Sequence, residues 1–334
     1  MKDRKLFNLL YLLIAASIMF FNVSCSSDDE TPVTPPVTVN ESEELVKYFE
    51  ANGDFINTAS HFIKAVDLNT AMSLGENLAV LDIRSTTDYA AGHIQGAVNV
   101  ATADLLTYYA ANSLASKTKV VIACYTGQTA GFAATILRLK GYTNVFDLQW
   151  GMCSWAYPSR WDAAKTNGEN NAIILQTTSN PKNAAGNLPT LTTGKTTGAE
   201  ISDVRLAAVL AEGFGAASID RNTVYANLSN YYIVNYWPEA RYLNPGHIEG
   251  AVNYVPQNDL KLAQFLKTLP TNKTIVVYCY TGHGSSIIAP YLRALGYDAK
   301  SLLFGANNLF YNANPGTKWG VGDDNMCKNY PVVQ

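Results

Sequence analysis

The sequence predicts an α/β protein made of two tandem domains, each a mainly parallel sheet flanked by helices on both faces. Three observations predict it. Short blocks recur in the same order at spacings of 154 or 155 residues. Within each copy, β-branched apolar runs alternate with stretches of helical periodicity. A segment rich in Asn, Thr, Gly and Pro, residues 166–198, separates the copies, which fall at 41–165 and 199–334.

The chain opens like an export signal. Lys2, Arg4 and Lys5 give a basic start, Leu6 to Phe21 is mostly apolar, and Asn22-Val23-Ser24-Cys25 closes the run with small and polar residues. The run falls short of the roughly 18 apolar residues that read as a spanning helix. Val-Ser-Cys resembles a lipobox, although Asn22 stands where that motif usually has Leu. The resemblance implies removal of residues 1–24 and a lipid on Cys25, with the membrane as partner; an uncleaved anchor is the alternative. Cleavage removes Lys2, Asp3, Arg4 and Lys5, a net +2, and takes the formal charge from -3 to -5. Residues 25–40, with Ser26-Ser27-Asp28-Asp29-Glu30 and then three prolines, cannot bury apolar surface and read as a solvated tether. The acidic stretch after the cysteine resembles the tag that sends some bacterial lipoproteins to the outer face of the outer membrane. It implies a lipid-anchored protein of the cell envelope.

The repeat organises the rest. Gly92-His93-Ile94-Gln95-Gly96-Ala97-Val98-Asn99 returns as Gly246-His247-Ile248-Glu249-Gly250-Ala251-Val252-Asn253. Val121-Ile122-Ala123-Cys124-Tyr125-Thr126-Gly127 returns as Val276-Val277-Tyr278-Cys279-Tyr280-Thr281-Gly282, and Leu137 to Tyr142 returns as Leu292 to Tyr297. A period this long means duplicated domains, not a solenoid of small repeats.

In the first copy, Leu78–Ile83 and Lys119–Ala123 are short apolar runs, predicting buried strands. Thr129–Lys140 has helical spacing and stops at Gly141, which suits a C-cap, and Asn144–Leu148 reads as another strand. Strand, helix, strand in that order predicts parallel pairing. The second copy predicts a strand over Lys273–Tyr278 and a helix from about Ser285 to Leu295, whose first half Pro290 should perturb.

Each copy places a cysteine directly after a strand and before a glycine-bearing loop that opens a helix. Backbone N–H groups converge there and favour an anion. The expectation is a thiol pKa lowered enough to make a nucleophile at neutral pH, with a persulfide held by the same donors. A cysteine ending a buried strand is by itself more often an inert small hydrophobe. Retention of Cys-Tyr-Thr-Gly in both copies argues for a shared role.

Asp82-Ile83-Arg84, Tyr89-Ala90-Ala91-Gly92-His93-Ile94-Gln95-Gly96-Ala97, Cys124-Tyr125-Thr126-Gly127-Gln128-Thr129 and Gly141-Tyr142 together resemble a rhodanese-like domain. The resemblance runs over about 41–160 and from about 199 to the C-terminus. It implies a sulfurtransferase: a cysteine takes sulfane sulfur from thiosulfate, polysulfide or a persulfide, holds it as a persulfide, and passes it to a thiol or cyanide. It also implies a small sulfur donor and a thiol acceptor as partners, with a protein acceptor also possible. No cofactor and no metal are expected. The substrate-binding residues it implies are Arg84, Tyr125, Thr126, Gly127, Gln128 and Thr129, and in the second copy Tyr280, Thr281, Gly282, His283 and Gly284. His93 and His247 belong to an architectural block.

The copies differ. Asn235-Tyr236-Trp237 stands where the first has Asp82-Ile83-Arg84, so both charges are gone. His283 could lend positive charge to its thiolate or point into solvent. Familiar two-domain members keep the reactive cysteine in the second domain, but the fuller motif here lies in the first. Cys124 is therefore expected to be the principal nucleophile, with Cys279 second. Neither loop carries the Arg or Lys common in thiosulfate-using members, which lowers attraction for a doubly charged donor. A cleft lined by Tyr125, Tyr280 and Trp237 is conceivable.

Other classes fit less well. Charged residues make up 15% of the chain and the net charge is -3, which gives no field for a nucleic acid. Gly194-Lys195-Thr196 lacks the upstream glycine of a P-loop, and no Cys-x-x-Cys or His-x-x-x-His occurs. A cysteine phosphatase wants an arginine about six residues past the cysteine, where Ala130 and Ser285 stand. A binding or sensing module that keeps the fold without turnover is the alternative to an enzyme. Cys153 and Cys327 could pair as a disulfide in an exported chain or remain buried thiols.

Overall fold

The computed structural model describes residues 39–58 and 61–334. The stretch expected to be an export signal, Cys25 expected to carry a lipid, and the expected tether before residue 39 all lie outside the described residues. Among the described residues no helix is long and apolar enough to cross a membrane.

Half 1 has strands β1 (Phe62–Ile63), β2 (Leu78–Asp82), β3 (Val98–Asn99), β4 (Lys119–Ala123) and β5 (Val145–Leu148). Half 2 repeats them as β6 (Ser218–Ile219), β7 (Tyr231–Asn235), β8 (Val252–Asn253), β9 (Thr274–Tyr278) and β10 (Ala299–Leu302). The sheet orders are β1-β5-β4-β2-β3 and β6-β10-β9-β7-β8, and every pairing between these strands is parallel. The central strands read Leu-Ala-Val-Leu-Asp, Lys-Val-Val-Ile-Ala and Thr-Ile-Val-Val-Tyr because both their faces are covered. In half 1 the helices are α1 (Glu41–Ala51), α2 (Phe55–Thr58), α3 (Ala65–Ser73), α4 (Thr86–Ala91), α5 (Leu105–Ala111), α6 (Gln128–Leu139), α7 (Met152–Trp155) and α8 (Ser159–Glu169). In half 2 they are α9 (Gly198–Ala216), α10 (Arg221–Ala226), α11 (Glu239–Leu243), α12 (His283–Ala294) and α13 (Gly305–Leu309).

The two halves share one core. The largest apolar cluster joins Leu45, Val46 and Phe49 of α1 to Leu137 of α6, Val209 of α9, and Tyr291 and Leu295 in and after α12. Helices α6 and α12 pack on each other as well as on their own sheets, so ten of the twelve residues of α6 are buried. A surface helix would bury a single stripe. Small side chains permit the approach: a Cβ on Gly131 would lie 2.6 Å from Ser286 Oγ. Gly141 ends α6 as expected, with Tyr142 N–H donating to Leu137 O. Pro290 is a correction, because α12 runs unbroken through it. Burial of nearly the whole helix outweighs the roughly 3 kcal/mol that an interior proline costs.

Residues 166–169 finish α8, so the separating segment starts later than predicted. The chain beyond α8 is tied to half 2: Gln176 and His247 exchange backbone hydrogen bonds of 2.9 Å, and Asn180 Nδ2 donates to Ala251 O. The C-terminal tail makes the same connection to the other half. His93 and Val333 exchange backbone bonds of 2.9 and 3.0 Å, and Trp155 Nε1 donates to Pro331 O. Each half is thus edged by the segment that leaves its neighbour.

Candidate active site

Both cysteines end the central strand of their sheet, and both loops turn on a glycine at positive φ, Gly127 at 87° and Gly282 at 79°. Cys124 Sγ accepts N–H bonds from Gly127 at 3.2 Å and Ala130 at 3.3 Å. Cys279 Sγ accepts from Gly282 at 3.2 Å and lies 3.9 Å from the Ser285 hydroxyl, which stands where the first loop has Ala130. The loop amides therefore do aim at sulfur.

The thiol expectation nevertheless needs correcting for Cys124. Burial pushes its pKa above the ordinary thiol value, and the amides of Ala130, Thr126 and Gly127 offset this only in part. The side chain is 2% exposed and lines neither cavity beside the loops. Cys279 is 6% exposed but forms part of the wall of a cavity of about 320 Å³. Phe62 and Gln149 of half 1 close one side of that cavity, while Tyr236, Tyr280, Thr281 and Gly284 of half 2 form others.

Half 1 has its own cavity, about 350 Å³, and the cysteine on its wall is Cys153. Arg84 lines it, but its guanidinium is already engaged with Asp82 Oδ2 at 2.7 Å and Gly92 O at 2.8 Å. Both partners in this ion pair are almost fully buried, so Arg84 first of all neutralises Asp82. Tyr125 hydrogen-bonds the Asp88 carboxylate through its hydroxyl, and Arg160 lies 4.1 Å over its ring. Thr129 is half-buried in the first turn of α6.

His283 neither charges its thiolate nor meets solvent. It is 2% exposed, and burial drives its pKa down to about 4, so the ring is neutral. Its Nδ1 lies 3.1 Å from Thr281 Oγ1, and its Nε2 is 3.0 Å from Thr126 O in the other half's cysteine loop. Gln128, the matching residue of the first loop, reaches the opposite way, with its Oε1 accepting from Phe304 N–H at 2.8 Å. Gln128 also donates to Thr126 Oγ1 at 3.2 Å. His283 thus fastens the second cysteine loop to the first, and Gln128 fastens the first to the turn after β10.

Tyr125, Tyr280 and Trp237 do not share a cleft. Trp237 is fully buried and stacks on Tyr280 at 4.9 Å, whereas Tyr125 lines the cavity of half 1. His93 and His247 stack on Tyr89 and Tyr242 at 3.8 and 3.6 Å, each with Nδ1 2.9 Å from that tyrosine's carbonyl oxygen. Cys153 and Cys327 are both free thiols; Cys153 is buried, Cys327 half-buried. Burial raises the Cys153 thiol to about 12.

Sequence reasoning missed Phe62, Gln149, Pro256 and Thr317 at the Cys279 cavity, and Arg160 and Tyr157 at the other. Arg160 left a visible signal, a cation just past the Trp150-Gly151 turn. Phe62 left none, because its role depends on how the halves pack.

The family model described as Rhodanese-like domain matches the chain twice, at residues 65–157 and 221–311. Thiosulfate sulfurtransferase GlpE of Pseudomonas fluorescens (strain SBW25) is 35% identical over 99 residues, which span 29% of this chain and 89% of that protein. The GlpE of Pseudomonas entomophila (strain L48) is 32% identical over 107 residues, spanning 32% and 96%. Among solved structures, a thiosulfate sulfurtransferase from Pseudomonas aeruginosa aligns with 88% of this chain and 48% of its own, at 17% identity and a TM-score of 0.28. The two stretches matched by the family model cover more than half of the sequence, and the chain belongs to the rhodanese-like domain family.

Proposed function

We propose that the protein is a sulfurtransferase in which Cys279, not Cys124, carries the sulfur. One observation supports this order above the others: Cys279 lines a cavity of small-molecule size while its sulfur receives the Gly282 N–H. In the first step the Cys279 thiolate attacks the outer sulfur of a sulfane donor. The new S–S bond forms as the donor's own S–S bond breaks, and the leaving group departs with the electron pair; for thiosulfate it is sulfite. In the second step an acceptor thiolate or cyanide takes the outer sulfur and returns the Cys279 thiolate. The Gly282 amide lies where negative charge on either sulfur needs a donor. Half 1 contributes cavity wall through Phe62 and Gln149.

Thiocyanate release from a sulfane donor plus cyanide tests the assignment. Cys279→Ser is expected to lower turnover by about a thousandfold or more, and Cys124→Ser by no more than about twofold. The reverse order would return the role to Cys124, full activity in the double variant would exclude both cysteines as the sulfur carrier, and no wild-type release above the uncatalysed rate would leave a binding module. We also propose that the protein sits in the cell envelope on a lipid at Cys25, as the Val-Ser-Cys ending and the acidic tether suggest. Radiolabelled palmitate should enter the wild-type chain and not Cys25→Ser.

A further inference from the structure

We propose that the cavity at Cys279 draws its sulfur from an organic persulfide with an uncharged, apolar body, and discriminates against thiosulfate. This rests on the sulfurtransferase reading and narrows its donor. The argument is the chemistry of the wall. Phe62, Tyr236, Tyr280 and Pro256 give it aromatic and aliphatic surface, and Gln149 and Thr317 give it neutral polar groups. None of the described residues lining it is a lysine, arginine, aspartate or glutamate. His283 is held neutral by its place between the loops. The charge of Arg241 is felt at the Tyr280 hydroxyl, but Arg241 does not line the cavity. A dianion entering such a site gives up hydration and meets no countercharge, whereas an apolar body gains by leaving water. The cavity of half 1 sharpens the contrast, since charged groups line it: Asp88, Arg160, and Arg84 in its ion pair with Asp82.

The transfer balances without a further reactant. Cys279–S⁻ attacks the terminal sulfur of R–S–SH, forming Cys279–S–SH and releasing R–S⁻, which keeps the electrons of the broken S–S bond. The apolar R group rests against Phe62 and Tyr236 and is the part the cavity recognises.

The test mixes the full chain rapidly with benzyl persulfide or with thiosulfate, quenches by alkylation, and follows the gain of one sulfur on the Cys279 peptide by mass spectrometry. Each rate is divided by that of N-acetylcysteine with the same donor, which removes intrinsic reactivity. The expected ratio favours benzyl persulfide by about tenfold or more. Phe62→Ala should slow the benzyl persulfide reaction about fivefold and spare the thiosulfate one, and Gln149→Arg should speed thiosulfate about fivefold. Equal or faster loading by thiosulfate, or no response to Gln149→Arg, overturns the donor assignment while sulfur transfer stands. Failure of both donors to load Cys279 overturns the sulfurtransferase reading itself.

Discussion

The two halves divide between them what a sulfur-carrying cysteine needs. Cys124 has two amide N–H donors on its sulfur but lines neither cavity, while Cys279 has one such donor, a nearby hydroxyl and a place on a cavity wall. Half 1 keeps the Asp82–Arg84 pair, and half 2 replaces it with Asn235 and Trp237. Asn235 Nδ2 then donates to Tyr278 Oη, and Trp237 stacks on Tyr280 beside the cavity. A motif retained in full is therefore a poor guide to which copy is open. The charges of half 1 are spent on each other, whereas Trp237 in half 2 backs Tyr280, which lines the cavity.

The largest effect expected outside the cavity is at Arg84. Arg84→Ala strands a buried carboxylate and should cost about 3–5 kcal/mol of stability in chemical denaturation. The pair Asp82→Asn with Arg84→Trp, which installs what half 2 already carries, should cost less than the single change. A double variant as unstable as Arg84→Ala would mean that the halves are not interchangeable at this point.

Acid should separate the loops next. Burial drives His283 to about 4 and His61 to about 3, whereas both titrate near 6.5 in an unfolded chain. Between those values the unfolded chain binds more protons, so stability present at neutral pH is lost as the pH falls from about 6.5 towards 4. The sealed His283 imidazole contributes on the order of 3 kcal/mol to that loss. His283→Gln, which copies Gln128 of the first loop, should flatten the slope of unfolding free energy against pH between about 6.5 and 4. An unchanged slope would show that His283 charges without disturbing the contact to Thr126.

The smallest effect is one of access. Native-state alkylation by iodoacetamide should reach Cys279 about ten times faster than Cys124, because only the first lines a cavity and burial raises the Cys124 thiol. Equal rates would remove the basis for ranking the two.

The architecture was legible in the sequence because its signals are local. The runs Leu78–Asp82 and Lys119–Ala123, the glycine turns after each cysteine, and Gly141 behind α6 each act within a few residues. The doubling was legible because Gly-His-Ile-x-Gly-Ala and Cys-Tyr-Thr-Gly recur whole. What stayed hidden depends on packing between elements far apart in the chain. His283 finds Thr126 only once α6 and α12 lie against each other, and Phe62 reaches the Cys279 cavity only across the same seam. The extent of burial at Cys124 was hidden for the same reason, since the shared core and not the loop sets it.

The exchanged edge segments bear on how the molecule is made. A growing chain emerges from its amino end, so the first sheet is complete in sequence long before Val333 exists to pair with His93. The half synthesised first must therefore wait, with one rim unfinished, until the segment that leaves the second half has been made. Closure of the first rim thus follows synthesis of the second half, and the two halves finish together.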